Sequence, residues 1–328
     1  MINIFVTYRC NLSCSYCFAR ELREEHPADI RDEAFQRLLR WMKGSTLPAA
    51  AFIGGEPTLH ERLAEMIEAT AGAGIAVVLF TNGLFPHDLA DRLSRSVSNF
   101  VVNYNDPHTY ATEHKRLLHA NLSRLVELDA RITFSKNFSS EHPDYDYLLD
   151  GAARYGVRSV RYDISRPSGS AANDYVSMGE TRDLTSHIVT FARKCEARGI
   201  RTGLDCCLRL CDMPAEDRTY LERISMKFTG ICHPSIDIHP DLSASYCLPM
   251  RDVRVPDVTR FANSERLMHH FSAAVRPERF QNVPPECHVC PDFKRFCQGG
   301  CLALKRHSHV AAFHAPRQVV SGVLHERY

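Results

Sequence analysis

Along the first two thirds of the chain, short apolar runs alternate with segments in which apolar residues recur every three or four positions. The runs are INIFVTY at 2–8, AAFIGG at 50–55, AVVLFTN at 76–82, NFVVNYN at 99–105, RITFSKN at 131–137 and SVRYDIS at 159–165, and each is predicted as a strand. Between them, Phe35, Leu38, Leu39 and Met42 stand at i, i+3, i+4 and i+7, which gathers apolar side chains on one helix face. Leu63, Met66 and Ile67 repeat that spacing, as do Leu118, Leu122 and Leu125, and later Leu184, Ile188 and Phe191. Strand-then-helix units joined by short loops imply a parallel sheet, because parallel neighbours need a crossover between them. Six such units are too few to close an eight-fold barrel. The expected fold is therefore α/β, a partial (β/α)6 TIM-like barrel with its reactive end at the carboxyl edge of the strands. From about residue 206 the helical periodicity fades, and cysteine, proline and histidine become frequent. This divides the chain into an expected barrel at 1–205 and a metal-organised region at 206–328.

Composition narrows the functional classes. The 328 residues carry a formal net charge of +1, so no global basic field argues for nucleic acid and no acidic excess argues for disorder. The opening MINIFVTYRC has neither a basic stretch nor a long apolar core of an export signal, and no run approaches the roughly 18 apolar residues of a membrane span. A cytoplasmic location without a membrane partner is the expectation. Thirteen cysteines are then the oddity, since a reducing compartment disfavours disulfides and metal or iron–sulfur ligation becomes the default. They fall into three groups, with Cys195 apart: Cys10, Cys14 and Cys17; Cys206, Cys207 and Cys211; and Cys232, Cys247, Cys287, Cys290, Cys297 and Cys301.

The first group lies in YRCNLSCSYCFA. Its spacing would also line one face of a helix, where free cysteine behaves as a small hydrophobe. The position directly after an apolar strand and the loop-like Asn11, Ser13 and Ser15 favour ligation instead. Three thiolates are one fewer than a four-iron cluster uses, which leaves one iron open.

Cys10, Cys14, Tyr16 and Cys17, in the pattern Cys-x3-Cys-x-aromatic-Cys, resemble the cluster motif of the radical S-adenosylmethionine superfamily, whose fold is a partial barrel. GGEP at Gly54, Gly55, Glu56 and Pro57 agrees with that resemblance, which runs over roughly residues 1–200. It implies a 4Fe-4S cluster on the three thiolates and S-adenosylmethionine chelated by the open iron. Reductive cleavage would then release a 5′-deoxyadenosyl radical that abstracts a substrate hydrogen. It further implies that Gly54 and Gly55 let the strand edge approach the methionine ammonium and that Glu56 accepts its hydrogen bond. The alternative for that motif is a tight strand-to-helix turn with Glu56 as a helix-start acid. Asn103 and Asn105 would meet the ribose, Lys136 the methionine carboxylate, and Thr81, Asn82 and Gly83 the same cavity. Tyr162, Asp163 and Arg166, around the sixth strand's end, are the candidates for substrate contact and catalysis.

Cys287-x2-Cys290-x6-Cys297-x3-Cys301 taken alone also suits a four-thiolate zinc site. Preceded by Cys232-x14-Cys247, the array resembles the SPASM or twitch extension of the same superfamily, which carries one or two auxiliary iron–sulfur clusters. The chain departs from that pattern in its x6 gap, in lacking a glycine ahead of Cys247 and in having no cysteine after Cys301. Under the resemblance, Cys232, Cys247 and Cys301 hold one cluster with Cys211 as fourth ligand, or else Cys206 or Cys207. Cys287, Cys290 and Cys297 begin a second cluster one ligand short, to be completed by aspartate, by substrate or by a histidine such as His307, His309 or His314.

The implied activity is an oxidoreductase-type modification of a ribosomally made peptide by crosslinking or epimerisation. Its alternative is oxidation or epimerisation of a small molecule such as a sugar or amino-acid derivative. A strand beginning at residue 2 leaves no room for an amino-terminal recognition domain, so the peptide reading calls for a separate recognition protein. The implied reductant is a low-potential donor of flavodoxin or ferredoxin type. A third reading makes the cysteines structural or electron-transferring without radical chemistry. No nucleic-acid partner is expected, although KRFCQGGCLALKR is locally basic.

Overall fold

A computed structural model describes residues 1–307. Its strands are β1 (Ile2–Thr7), β2 (Ala49–Gly54), β3 (Ala76–Thr81), β4 (Asn99–Asn103), β5 (Ile132–Phe138), β6 (Ser159–Ile164) and β7 (Arg201–Leu204). The helices α1 (Leu22–Glu25) and α2 (Asp32–Gly44) follow β1, then α3 (Leu63–Gly72), α4 (His87–Leu93), α5 (Thr112–Glu127), α6 (Asp146–Tyr155) and α7 (Thr181–Glu196) follow the next five strands in turn. The six expected strands form with ends within two residues of their apolar runs. A seventh strand adds to the six expected units: β7, RTGL, is too short and too polar to announce itself, yet it pairs in parallel with β6.

Three very short strands, β8 (Asp237–Ile238), β9 (Ala244–Ser245) and β10 (Arg254–Val255), extend the sheet at the other edge, giving the order β10-β9-β8-β1-β2-β3-β4-β5-β6-β7. β8 runs parallel to β1, and Asn3 Nδ2 donates to Asp237 Oδ1 at 2.7 Å across that junction. The residues after 206 thus continue the sheet of the barrel and pack at both of its ends: α8 (Ala215–Ile224) lies on α7, where Tyr220 Oη donates to Glu196 Oε2 at 2.8 Å, and the segment leading into α9 (Ser264–Ala274) lies on α2. Trp41 Nε1 of α2, for example, donates to the Phe261 carbonyl at 2.8 Å.

Register decides what faces where. Ile4, Phe52, Leu79, Phe100 and Ile132 are paired in one row, and Phe134 pairs with Val160 on the same side. This side is buried under the helices: Phe35 of α2 lies 6.3 Å from Phe52, and Phe191 of α7 lies 5.5 Å from Phe138, ring centre to ring centre. Each such side chain taken out of water contributes roughly 1.5–3 kcal/mol. Alternation places Phe80, Val101, Asn103, Ser135, Asn137, Arg161 and Asp163 on the opposite, inner face. At the β1 end this inner face is closed by a small cluster of Phe5, Tyr8, Leu22 and Leu248, the last contributed by the cysteine-rich region. Among the described residues, no helix is long and apolar enough to cross a membrane.

Candidate active site and thiol centres

Residues 8–20 form a loop with tight turns rather than a helix, so Cys10, Cys14 and Cys17 do not pack as one helical face. The start of this loop is clamped by the end of β2: Gly55 N donates to Thr7 O at 2.9 Å and Glu56 N to Arg9 O at 2.7 Å. A Cβ on Gly54 would stand 2.3 Å from Thr7 O, and one on Gly55 2.3 Å from Arg9 O. The two glycines therefore serve the approach of backbone to backbone, where a side chain has no room.

Glu56 is fully buried. Its Oε1 accepts from Thr58 N, Thr58 Oγ1 and Thr81 Oγ1 at 3.2, 2.6 and 2.8 Å, and its Oε2 accepts from Asn82 N at 2.7 Å. Burial pushes its carboxyl pKa up, against these hydrogen bonds, which favour the ionised form. The carboxylate is thus turned to four protein donors and joins the ends of β2 and β3, with Pro57 opening the 3₁₀ turn Pro57–Leu59. Asn82 passes the tie to the cysteine loop: its Nδ2 donates to Asn11 Oδ1 at 2.7 Å, while Asn11 Nδ2 donates to Leu84 O at 2.9 Å.

The far side of the loop is held by Tyr16. Its hydroxyl donates to Asn105 Oδ1 at 2.7 Å and accepts from Asn103 Nδ2 at 2.8 Å. Asn105 Nδ2 faces Tyr110 Oη at 3.3 Å and the Cys14 sulfur at 3.9 Å. Beside it opens a cavity of about 480 Å³ whose lining includes Cys14, Ser15, Tyr16, Asn105, Lys136 and Tyr147. Lys136 Nζ donates to Tyr147 Oη at 2.6 Å, and burial lowers its pKa.

These residues fit a thiolate-held cluster with a carboxylate- and ribose-bearing cofactor on it. The three thiols are free, burial holds those of Cys10 and Cys14 neutral without a metal, and an amide N–H already faces the Cys14 sulfur. Asn103 Oδ1 is buried without a hydrogen-bond partner, an acceptor left for a donor that the protein does not supply.

The three expected substrate residues separate in space. Tyr162 is fully buried on the helix side, 5.6 Å from Phe191 and 5.6 Å from Phe138 by ring centres, and does not face the barrel mouth. Arg166 is 3% exposed and donates to Cys207 O at 3.2 Å, so it belongs to the carboxyl-terminal thiols. Asp163 alone lies on the inner face. It accepts from Arg161 at 3.4 Å, and Arg161 is also paired with Asp205, donates to Ser135 Oγ at 3.0 Å and stands 5.5 Å over the Phe80 ring. Arg161 and Asp205 were missed, yet the period of two that defines a strand already puts residue 161 on the same face as residue 163. Tyr110 and Tyr147 lie in loop and helix, where no sequence signal marked them.

The remaining thiols divide into two neighbourhoods. Cys206, Cys207, Cys232, Cys247 and Cys301 act electrostatically on one another, and Cys207 and Cys232 meet directly. Gln298 joins these two, its Nε2 lying 3.8 Å from Cys207 Sγ while its Oε1 accepts from Cys232 N at 3.1 Å; Tyr246 Oη lies 3.4 Å from Cys232 Sγ. The guanidinium of Arg166 sits among them with Nε unpartnered, a buried cation suited to an anionic occupant. Cys211, expected with the first group, is within electrostatic reach of Cys287 and Cys297, and Cys290 acts on Cys287 as well. Among the described residues, no three Cys, His, Asp or Glu side chains converge closely enough to hold a single metal ion. His307 Nε2 is 2.7 Å from Tyr175 Oη, and His309 and His314 lie outside the described residues.

Residues 4–128 match the Radical SAM superfamily model. The Fe-coproporphyrin III synthase of Methanosarcina barkeri is 23% identical over 222 residues, covering 64% of this chain and 55% of that enzyme, so the chain spans about half of that relative. Among solved structures, Streptococcus suis SuiB bound to S-adenosylmethionine superposes with a TM-score of 0.67 at 13% identity, covering 92% of this chain and 72% of SuiB. SuiB has also been solved with the precursor peptide SuiA. Native anSMEcpe with bound AdoMet and the Kp18Cys peptide gives a TM-score of 0.67 at 18% identity, over 92% and 88% of the two chains. At these identities the likeness is one of fold: α/β, mostly parallel, with a cysteine-rich carboxyl-terminal region.

Proposed function

We propose, from a chain that carries a radical SAM superfamily domain, that this enzyme abstracts hydrogen from a peptide substrate and holds auxiliary iron–sulfur centres on the thiols after residue 205. The observation that carries the reading is the cavity of about 480 Å³ set directly against Cys14, in a loop fixed on both sides by the ends of β2, β3 and β4. Cys10, Cys14 and Cys17 would hold the 4Fe-4S cluster. When bound, that cluster and S-adenosylmethionine together supply the radical that takes the substrate hydrogen.

The protein's own part is positioning. Asn105 aims an N–H at the Cys14 sulfur, which favours the thiolate. Lys136, its charge disfavoured by burial, offers a carboxylate a partner at the cavity wall. The orphan Oδ1 of Asn103 can accept from a ribose hydroxyl. Asp163, Arg161 and Asp205 present a fixed charged array on the inner face, beyond the cofactor residues, where substrate would lie. The peptide reading draws on SuiB and anSMEcpe, whose structures contain peptides. A low-potential flavodoxin- or ferredoxin-type donor and a separate peptide-recognition protein complete the proposal.

The test is 5′-deoxyadenosine turnover by the anaerobically reconstituted enzyme, with panels of leader-bearing precursor peptides and of sugars and amino-acid derivatives. Stimulation by a peptide, with a mass change in that peptide, is expected. Stimulation only by a small molecule would replace the peptide reading with small-molecule oxidation or epimerisation.

A further inference from the structure

We propose that Cys211 is the fourth ligand of the second auxiliary centre, completing Cys287, Cys290 and Cys297, and that the first centre draws on Cys207, Cys232, Cys247 and Cys301. This rests on the auxiliary-centre reading above and changes its ligand sets, since the pattern of the chain leaves the second set one thiol short and assigns Cys211 to the first.

The backbone brings the distant residue 211 to that set. Leu208 N donates to Thr229 O at 3.1 Å, and Gln298 N donates to Gly230 O at 3.0 Å, so the segment before Cys211 and the segment after Cys297 bond to neighbouring residues of one strand-like stretch. A Cβ on Gly230 would meet Leu210 Cγ at 2.9 Å and Cys297 Cα at 3.2 Å. Glycine at 230 is what lets the turn Leu210–Asp212 and the Cys297 backbone close around it. One residue earlier, the Arg209 side chain would lie 3.2 Å from a Cβ on Gly300. On the same loop, Gly299 N donates to Cys297 Sγ at 3.3 Å, and Cys287 Sγ would lie 3.5 Å from a Cβ on Gly299. The loop 297–300 is therefore flanked by the turn that carries Cys211 and by Cys287. The thiol charges of Cys211, Cys287 and Cys297 accordingly act on one another.

Among the described residues, three other candidate ligands are engaged. Asp212 is paired with Arg209 at 2.8 Å, Asp292 with Arg218 at 2.6 Å, and His307 with Tyr175. The surroundings also suit an anion. Lys305 is 2% exposed, and its Nζ donates to two carbonyls, Arg279 O at 2.7 Å and Gln298 O at 3.0 Å, within electrostatic reach of Cys207 and Cys301 and, more weakly, of Cys287 and Cys297, so its charge faces both thiol groups. A buried ammonium is costly unless a negative charge offsets it, and a thiolate-ligated cluster carries such a charge. Cys207, by contrast, is bound into the first group through Cys232 and Gln298. A second centre closed by four thiolates has no iron free for a substrate atom, which removes substrate as its fourth ligand.

The test uses the full chain with Cys10, Cys14 and Cys17 all changed to Ala, reconstituted anaerobically, with iron and sulfide counted and Mössbauer and EPR spectra recorded. This parent is expected to keep about eight irons. Adding Cys211→Ala should convert one centre to a three-iron form or empty it. That loss should not add to the loss from Cys290→Ala, but should add to the loss from Cys247→Ala. Cys211→Ser, nearly the same size, should weaken the same centre while leaving the far-UV spectrum of the parent unchanged. The proposal is overturned if Cys211→Ala leaves count and spectra unchanged, or if its loss merges with that of Cys247→Ala. A parent without iron would instead sink the auxiliary-centre reading itself.

Discussion

A methyl group on Gly55 has nowhere to go, because the atoms it would meet, Arg9 O at 2.3 Å and Tyr8 O at 2.6 Å, are backbone at the root of the cysteine loop. Gly55→Ala should cost about 1–3 kcal/mol in urea unfolding and lower the iron retained by the amino-terminal cluster. Gly74→Ala, with a φ of +78° but open space around the new Cβ, should cost about 1 kcal/mol and leave iron content alone. Iron loss equal in both variants would remove the clamp role given to Gly55. A second residue-scale prediction concerns His239, whose Nδ1 meets Tyr8 Oη at 2.6 Å and whose ring stacks on His26 at 4.5 Å. Burial, helped by His26, holds its pKa down at about 4. Between about 6.5 and 4 the unfolded chain binds a proton that the folded chain refuses, so stability is complete above that window and falls as pH drops through it, by about 3 kcal/mol at most. His239→Gln should be less stable at pH 7.5 yet show a shallower fall from pH 6.5 to 4. Parallel slopes for the two proteins in equilibrium unfolding would show that His239 is not the source.

At the scale of elements, β6 sorts the candidate catalytic residues. Its alternation sends Tyr162 under α7 and Arg161 and Asp163 to the inner face. Tyr162→Phe should therefore leave 5′-deoxyadenosine formation unchanged. Arg161→Met should preserve cofactor cleavage without substrate but cut its stimulation by substrate at least tenfold. A large loss in the Tyr162 variant, or no loss in the Arg161 variant, would reverse this placement. The six apolar strands and the cysteine loop were legible because each writes its own local signal. β7 and the two-residue strands β8, β9 and β10 were not, because their pairing is decided by partners far along the chain. GGEP was legible as a motif but not in its contacts. Gly55 answers to Arg9 O and Glu56 to Thr81 and Asn82, which are tertiary facts.

Over the whole molecule, two sheet edges matter for the candidate chemistry. The cysteine-rich region adds β8 beside β1 and supplies Leu248 to the inner face, while its thiols gather beyond β6 and β7, where Arg166 lies next to Cys207. The grouping of those thiols could not be read from spacing, since Cys207 and Cys211 are four residues apart and belong to different neighbourhoods. Cys206, beside Asp163, stands where the inner face and the first thiol group meet. The loop of Cys10, Cys14 and Cys17 is proposed to carry the reductive cleavage of S-adenosylmethionine. Its most direct test is 5′-deoxyadenosine and methionine released from S-adenosylmethionine by the reconstituted, reduced enzyme, with Cys14→Ala alongside. Both products are expected from the wild type in equal amounts and neither from the variant. Intact S-adenosylmethionine in a fully reduced, iron-loaded wild type would contradict it.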